Sequence, residues 1–245
     1  MESQAVVGLL KFFGKDEYLA SFARGLVYFT PPESYRIDGH EGRGDPQESC
    51  SATFRMQDGG FPLQMRFGDQ ELQVTALTAH NPGRKPGRLN CWFAVELPTD
   101  FEELERLVND VNQMRATFGS RYVFLHRDHI EVFACHVRAN APSDSAKALD
   151  HGLVGYSARQ SEWGVFCKPA SYAYQREYRF VLGECGHMER AARTVQCPAD
   201  VQHILHVEPT IQIYAQTEKE LLLVLDKSGC RIVLNEALSE KRTAD

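Results

Sequence analysis

The sequence lacks the short motifs of the commonest nucleotide and hydrolase chemistry. It has no G-x-x-x-x-G-K-[ST] phosphate loop, no G-x-G-x-x-G run and no G-x-S-x-G elbow. It also lacks a C-x-x-C pair. Its seven cysteines (Cys50, Cys91, Cys135, Cys167, Cys185, Cys197, Cys230) are odd in number and scattered, which reads as reduced thiols in a cytoplasmic protein. No apolar run reaches spanning length, and the opening MESQAVVGLLKFFGKDE lacks a leader's basic, apolar and cleavage regions, so no membrane association is expected. There is no excess of basic charge: 27 Lys and Arg against 33 Asp and Glu give a net charge of -6. A nucleic-acid role would therefore need a local basic site, not a global field.

What is present is 245 residues of ordinary globular composition, 43% hydrophobic, with no repeat and no linker. One domain over residues 1–245 is expected, long enough to bury a sizeable core. Leu9 to Phe13 suits a first strand, and Asp16 to Arg24 places Tyr18, Leu19 and Phe22 on one helical face before Gly25. Val27 to Thr30 reads as a strand stopped by Pro31-Pro32. Further strands are expected at Ser51–Met56, Leu72–Thr78 and Leu89–Glu96, with turns at Asn81–Gly87. Thr99 and Glu102 have capping-box spacing and open a helix reaching Thr117. Tyr122–His126 and His129–Val137 read as a hairpin turning at Arg127-Asp128, and a short helix near Asp144–Asp150 follows Ser143. Strands are expected at Leu153–Tyr156, Tyr178–Leu182, Val201–Val207 and Ile211–Ala215. Glu220–Leu234 suits either a hairpin or a helix. The sum is an α+β fold, rich in strands.

Histidines are the first candidates for chemistry. The pairs His126/His129 and His203/His206 fall in strand-like sequence, where a three-residue spacing points to opposite faces, so no metal site is expected from them. Two other stretches stand out. The loop Arg36 to Glu48 carries Arg43, Asp45 and Glu48 as R-G-D-P-Q-E beside Tyr35; it suits a solvated connection or a ligand-clasping loop whose Arg forks onto phosphate. Phe166 to Leu182 (FCKPASYAYQREYRFVL) sets Gln175, Glu177 and Arg179 on one strand face, with Lys168, Tyr172, Tyr174 and Tyr178 close in sequence. An ion pair explains Glu177 and Arg179. The crowding of Gln175, Lys168 and three tyrosines suits a flat, polar ligand.

The motifs K-F-F-x-x-x-E-Y-x-x-x-F-x-x-G-x-x-Y-F-T (Lys11 to Thr30), R-G-D-P-x-E, G-L-V-G-Y (Gly152 to Tyr156) and F-x-K-x-x-x-Y-x-Y-Q-x-E-Y-R (Phe166 to Arg179) occur in that order. In this the chain resembles bacterial and phage proteins related to abortive-infection factors. That layout is similar to the ADP-ribosyltransferase fold, a split and bent β-sheet core with a few flanking helices. The resemblance implies a phage-defence toxin that moves ADP-ribose from NAD to RNA, or to another nucleic acid or protein acceptor, under control of an antitoxin protein. It implies catalytic roles for Glu177 and Gln175: Glu177 stabilises the developing cation, and Gln175 orients the acceptor. NAD would be held by Lys11 (where such enzymes carry Arg or His), Thr30, Arg36 and Arg43, with Tyr28, Phe29 or Tyr35 stacking on nicotinamide. Asp45, Glu48 and Arg179 complete the implied cofactor-binding set.

Two other readings stay open. One is an abortive-infection nuclease using Asp45, Glu48 and Glu177 around a divalent metal. The other is a non-catalytic phage-sensing module, in which Glu177 would be buried against Arg179 with no adjoining cleft.

Overall fold

The computed structural model describes residues 6–40, 42–55, 63–80, 85–143, 148–215 and 221–233. The chain opens with β1 (Val6–Phe13), α1 (Asp16–Ala23), β2 (Leu26–Phe29) and a short α2 (Pro32–Arg36). Four short strands follow the polar loop: β3 (Ala52–Arg55), β4 (Leu63–Phe67), β5 (Gln70–Val74) and β6 (Ala76–Ala79). Next come β7 (Arg88–Glu96), α3 (Phe101–Phe118), β8 (Arg121–His126) and α4 (Ile130–Asn140). The rest is β9 (Leu149–Leu153), β10 (Gly155–Ser157), β11 (Cys167–Pro169), β12 (Glu177–Leu182), β13 (Arg193–Gln196), β14 (Leu205–Val207), β15 (Ile211–Tyr214), β16 (Leu221–Asp226) and β17 (Gly229–Ile232). The fold is mixed α+β, with mostly antiparallel sheets and few helices. Among the described residues no helix is long and apolar enough to cross a membrane.

The central sheet has the order β14-β8-β1-β7-β12-β9, every pair antiparallel. Alternation along its strands sends side chains into two cores. One face carries Leu9, Trp92, Val123 and Phe180 onto α1 and α4; the other carries Leu10, Phe93 and Tyr122 onto α3 and the β15-β16-β17 sheet.

A split in this sheet makes the site. β1 pairs with β7 only as far as Leu10↔Phe93, although it stays paired with β8 to Phe13. Beyond the gap β7 is met from the other side of α1, where Thr30 and Leu89 exchange backbone hydrogen bonds of 2.8 Å. Residues 90–92 therefore face an opening along that edge. Gly25, at φ +89, makes the turn from α1 into β2; a Cβ there would lie 2.7 Å from the Cys197 carbonyl oxygen.

Several sequence expectations need correction. His129–Val137 is helical: Ile130, Phe133, Ala134 and Val137 have i, i+3, i+4, i+7 spacing and are buried, and a 3₁₀ turn (Arg127–His129) leads into α4. The cap of α3 is Asp100, which accepts from Glu103 N at 2.8 Å, while the Glu103 carboxylate reaches back to Thr99. Val201–Val207 divides into a 3₁₀ turn (Ala199–His203) and β14. Leu153–Tyr156 is interrupted at Val154, between β9 and β10. Residues 144–147 lie outside the described residues, and Leu149 and Asp150 belong to β9, not to a helix. Within Glu220–Leu234 the hairpin is formed, by β16 and β17.

Candidate active site

The opening in the sheet leads into a cavity of about 530 Å³. Its walls draw Phe22 and Trp92 from one core and Phe93 and Met114 from the other, so it passes through the plane of the sheet. Lys11 enters from the α1 side, and its Nζ donates 2.8 Å to the Cys91 carbonyl that the missing ladder partner leaves free. The amine lies 5.8 Å from the Phe22 ring centroid and 5.6 Å from that of Trp92. Burial pushes its pKa down to about 8, against weaker upward pulls from Cys91 and Glu177.

Glu177 opens β12 after Arg176, which adopts a left-handed conformation at φ 40. That turn is fixed from both ends. Ala94 N donates to the Arg176 carbonyl at 2.7 Å, the Arg176 side chain binds Asp110, and Glu177 N donates to the Tyr156 hydroxyl at 2.7 Å. The Glu177 carboxylate is buried. Its Oε1 accepts from Arg179 Nε at 2.9 Å, and its Oε2 accepts from Lys168 Nζ and from Arg179 at 3.2 Å each. Burial alone would raise its pKa, but the adjoining Arg179 and Lys168 charges win and hold it well below the ordinary carboxylate range.

Lys168 Nζ is the centre of this arrangement. Besides Glu177 it donates 2.8 Å to Gln175 Oε1 and lies 3.5 Å from Asp45 Oδ2 and 3.6 Å from Glu48 Oε2. Arg179, with no exposed surface, adds a 2.7 Å bond to Glu48 Oε2. Three carboxylates thus surround two cations, one negative charge in excess. Asp45 Oδ2 makes no hydrogen bond, and burial followed by the nearby Glu48 charge raises the Asp45 pKa. A proton on Asp45 would neutralise the group. The nuclease reading needs a divalent cation among Asp45, Glu48 and Glu177, and the Lys168 ammonium already fills that position.

Gln175 has little freedom. Its Oε1 is taken by Lys168, and its Nε2 donates 2.9 Å to the Gly42 carbonyl. The side chain therefore ties the polar loop to the charge cluster. Tyr172 and Tyr174 support the same loop through long bonds to the Gly44 and Gly42 carbonyls, and a Cβ on Gly42 would press against Thr117 at 3.0 Å.

Of the residues singled out from sequence, Lys11, Tyr28, Thr30, Tyr35, Arg43, Glu48, Gln175 and Glu177 line the cavity together. Lys11 and Glu177 are rooted on opposite faces of the sheet and meet through its gap. Tyr28 is 47% exposed, and burial raises the Tyr35 pKa well above its ordinary value. Arg43 is half exposed and pairs with Asp38 at 2.6 Å. Four assignments need correction. Phe29 is completely buried in the core and offers no ring for stacking. Arg36 is a scaffold clamp, bonded to Glu33, to the Glu48 carbonyl and to the His187 carbonyl, and is not on the cavity wall. Asp45 and Arg179 also lie behind that wall, as partners of Lys168 and Glu177. Cys91 lines the cavity beside Glu177 and carried no sequence signal.

Among the described residues no group of three or more His, Cys, Asp or Glu side chains is arranged to hold a metal ion. Comparison of the chain with family models, with curated proteins and with solved structures gives no match.

Proposed function

We propose that this chain is an NAD-dependent ADP-ribosyltransferase. Its acceptor is a nucleic acid, RNA foremost, or a protein, and it works in the cytoplasm as an antitoxin-controlled factor of phage defence. The observation that carries the reading is the single cavity in which an ionised, rigidly held Glu177 faces Lys11, Thr30, Tyr35 and Gln175. Its volume lies within the range of small-ligand sites, and its aromatic walls suit nicotinamide.

Breaking the bond between nicotinamide and ribose develops an oxocarbenium-like cation. A fixed carboxylate stabilises that charge more than it stabilises the neutral ribose, which is what lowers a barrier. Arg179 and Lys168 hold the Glu177 carboxylate in one orientation, so little reorganisation is needed as charge develops. Arg43 at the loop offers a half-exposed guanidinium for the pyrophosphate, and Tyr28 and Tyr35 offer rings. Gln175, anchored to Gly42, links the acceptor side to the reacting centre.

Incubation of purified protein with labelled NAD and separate pools of RNA, DNA and cell protein tests the reading. Label transferred to one pool, with release of nicotinamide, is the expected result. Absence of both transfer and NAD cleavage would overturn it.

A further inference from the structure

Two lysines, Lys168 buried and Lys11 half-buried, line the cavity in opposite surroundings. Lys168 is locked among three carboxylates and is a permanent cation. Lys11 has one hydrogen bond, to a carbonyl oxygen, and lies against the rings of Phe22 and Trp92; Glu177 attracts it across the gap, but among the described residues no carboxylate comes within ion-pair distance. A lysine amine set against aromatic rings, with no carboxylate bonded to it, is the arrangement that leaves a lone pair for attack on carbonyl carbon.

We propose that Lys11 is an amine nucleophile for sugar aldehydes and captures the ring-opened terminal ribose of ADP-ribose as an imine. The identity of the sugar rests on the transferase reading; the nucleophilic amine does not. When water serves as acceptor, NAD cleavage leaves ADP-ribose, whose anomeric carbon is a hemiacetal in equilibrium with the open aldehyde. Lys11 Nζ, rooted across the sheet gap from Glu177, reaches the cavity where that carbon is released. The nitrogen lone pair forms a C–N bond to the aldehyde carbon, giving a carbinolamine. Loss of the carbinolamine oxygen as water, with both hydrogens drawn from the amine, leaves C=N. No oxidation or reduction occurs, and water reverses the step. While the imine persists the cavity is occupied, so the product restrains further turnover.

Burial supports the chemistry. With a pKa near 8, about a tenth of Lys11 is neutral at pH 7, against roughly one part in three thousand for a solvated lysine. Lys15, Lys85 and Lys227 are well exposed and provide internal controls. Lys168, held as a cation, is a negative control.

The test uses the full chain with three probes, ADP-ribose, ribose 5-phosphate and pyridoxal 5′-phosphate, each with sodium cyanoborohydride to reduce any imine to a stable amine. Peptide mapping by mass spectrometry then locates the adducts. The expected result is an initial rate at Lys11 about tenfold or more above that at Lys15, Lys85 and Lys227, with ADP-ribose as well as with the simpler aldehydes. Lys11→Arg should abolish that adduct and leave the surface pattern unchanged. Because the wild-type map decides, a variant that fails to fold does not spoil the experiment. Lys11 labelled no faster than the exposed lysines, or labelled by pyridoxal phosphate but not by ADP-ribose, overturns the proposal. Selective Lys11 labelling without NAD turnover leaves this inference standing and removes the transferase reading. NAD turnover with an unlabelled Lys11 does the reverse.

Discussion

The Glu48 carboxylate accepts a 2.7 Å hydrogen bond from the Arg179 guanidinium, whose other donors hold Glu177 and the Val165 carbonyl. The polar loop is thereby joined to the strand that carries Glu177, and both side chains of the joint are buried. Removing one member of a buried ion pair leaves its partner charged and unsolvated, which costs about 3–5 kcal/mol. Glu48→Ala should therefore lower the melting temperature by roughly ten degrees or more in a chain of this size. Thermal and urea denaturation read this directly, and an unchanged midpoint would remove the cluster from any account of stability.

Glu177→Gln separates chemistry from scaffold. If the carboxylate stabilises charge present only in the transition state, NAD turnover should fall by roughly two to three powers of ten. NAD affinity should change little, because the neutral ribose needs only a hydrogen bond that Gln can still make. The same variant leaves Arg179 and Lys168 short of a partner, so its melting point should fall too. Kinetics must therefore be scaled to the folded fraction. Full activity per folded molecule would make Glu177 part of the scaffold alone.

These two residues also show where sequence reading succeeds and where it stops. The face shared by Glu177 and Arg179 follows from local order, and so do β1, α1, β2, β7 and α3, because each has a short-range pattern. Gln175 does not share it, because it ends a 3₁₀ turn (Ala170–Gln175) and the left-handed Arg176 separates it from β12. The bond between Glu48 and Arg179 joins segments far apart in the chain, and no local spacing encodes it. Lys168 stood near Glu177 in sequence, yet its position at the centre of three carboxylates depends on how β11 packs. Arg36 and Phe29 illustrate the opposite error. A guanidinium in a Gly-rich loop suits phosphate, but this one clamps backbone carbonyls, and alternation along β2 turns Phe29 inward while Tyr28 faces out. In α4 the helical spacing of Ile130, Phe133, Ala134 and Val137 was legible, and β-branched residues at Ile130, Val132 and Val137 masked it.

Lys11 should give two pH trends of opposite sign. Its folded pKa of about 8 lies below the ordinary 10.5, so between those values the unfolded chain binds a proton that the folded chain does not. Stability from this group therefore rises with pH across that window, and the cost of burying its charge is fully present below it. Lys11→Met should stabilise the protein at pH 7, and the advantage should shrink as pH climbs from about 8 to 10.5. Affinity for an anionic dinucleotide should move the other way, weakening above pH 8 as the ammonium is lost. Denaturation and calorimetric binding across pH 6.5–9.5 measure both. A stability difference that is flat across pH would mean that Lys11 is solvated when folded.

Gln175 spans the distance between the reacting centre and the polar loop, with Lys168 on its Oε1 and the Gly42 carbonyl on its Nε2. Gln175→Ala removes both contacts at once. Lys168 keeps its carboxylates, so Glu177 should stay ionised and NAD hydrolysis should fall by less than about tenfold. Transfer to an acceptor should fall much further, because the loop that borders the acceptor side has lost its tether. The tether also decides what ligand binding can do to the loop. Asp45 and Glu48 are already buried and bonded, so NAD should slow hydrogen exchange mainly over residues 40–44, where Arg43 N and Gly44 N both donate to the His40 carbonyl. In Gln175→Ala those amides should exchange faster before ligand is added, with little change around Glu48. Equal losses of hydrolysis and transfer, with unchanged exchange at residues 40–44, would mean that Gln175 serves the charge cluster alone and that the acceptor is oriented from elsewhere.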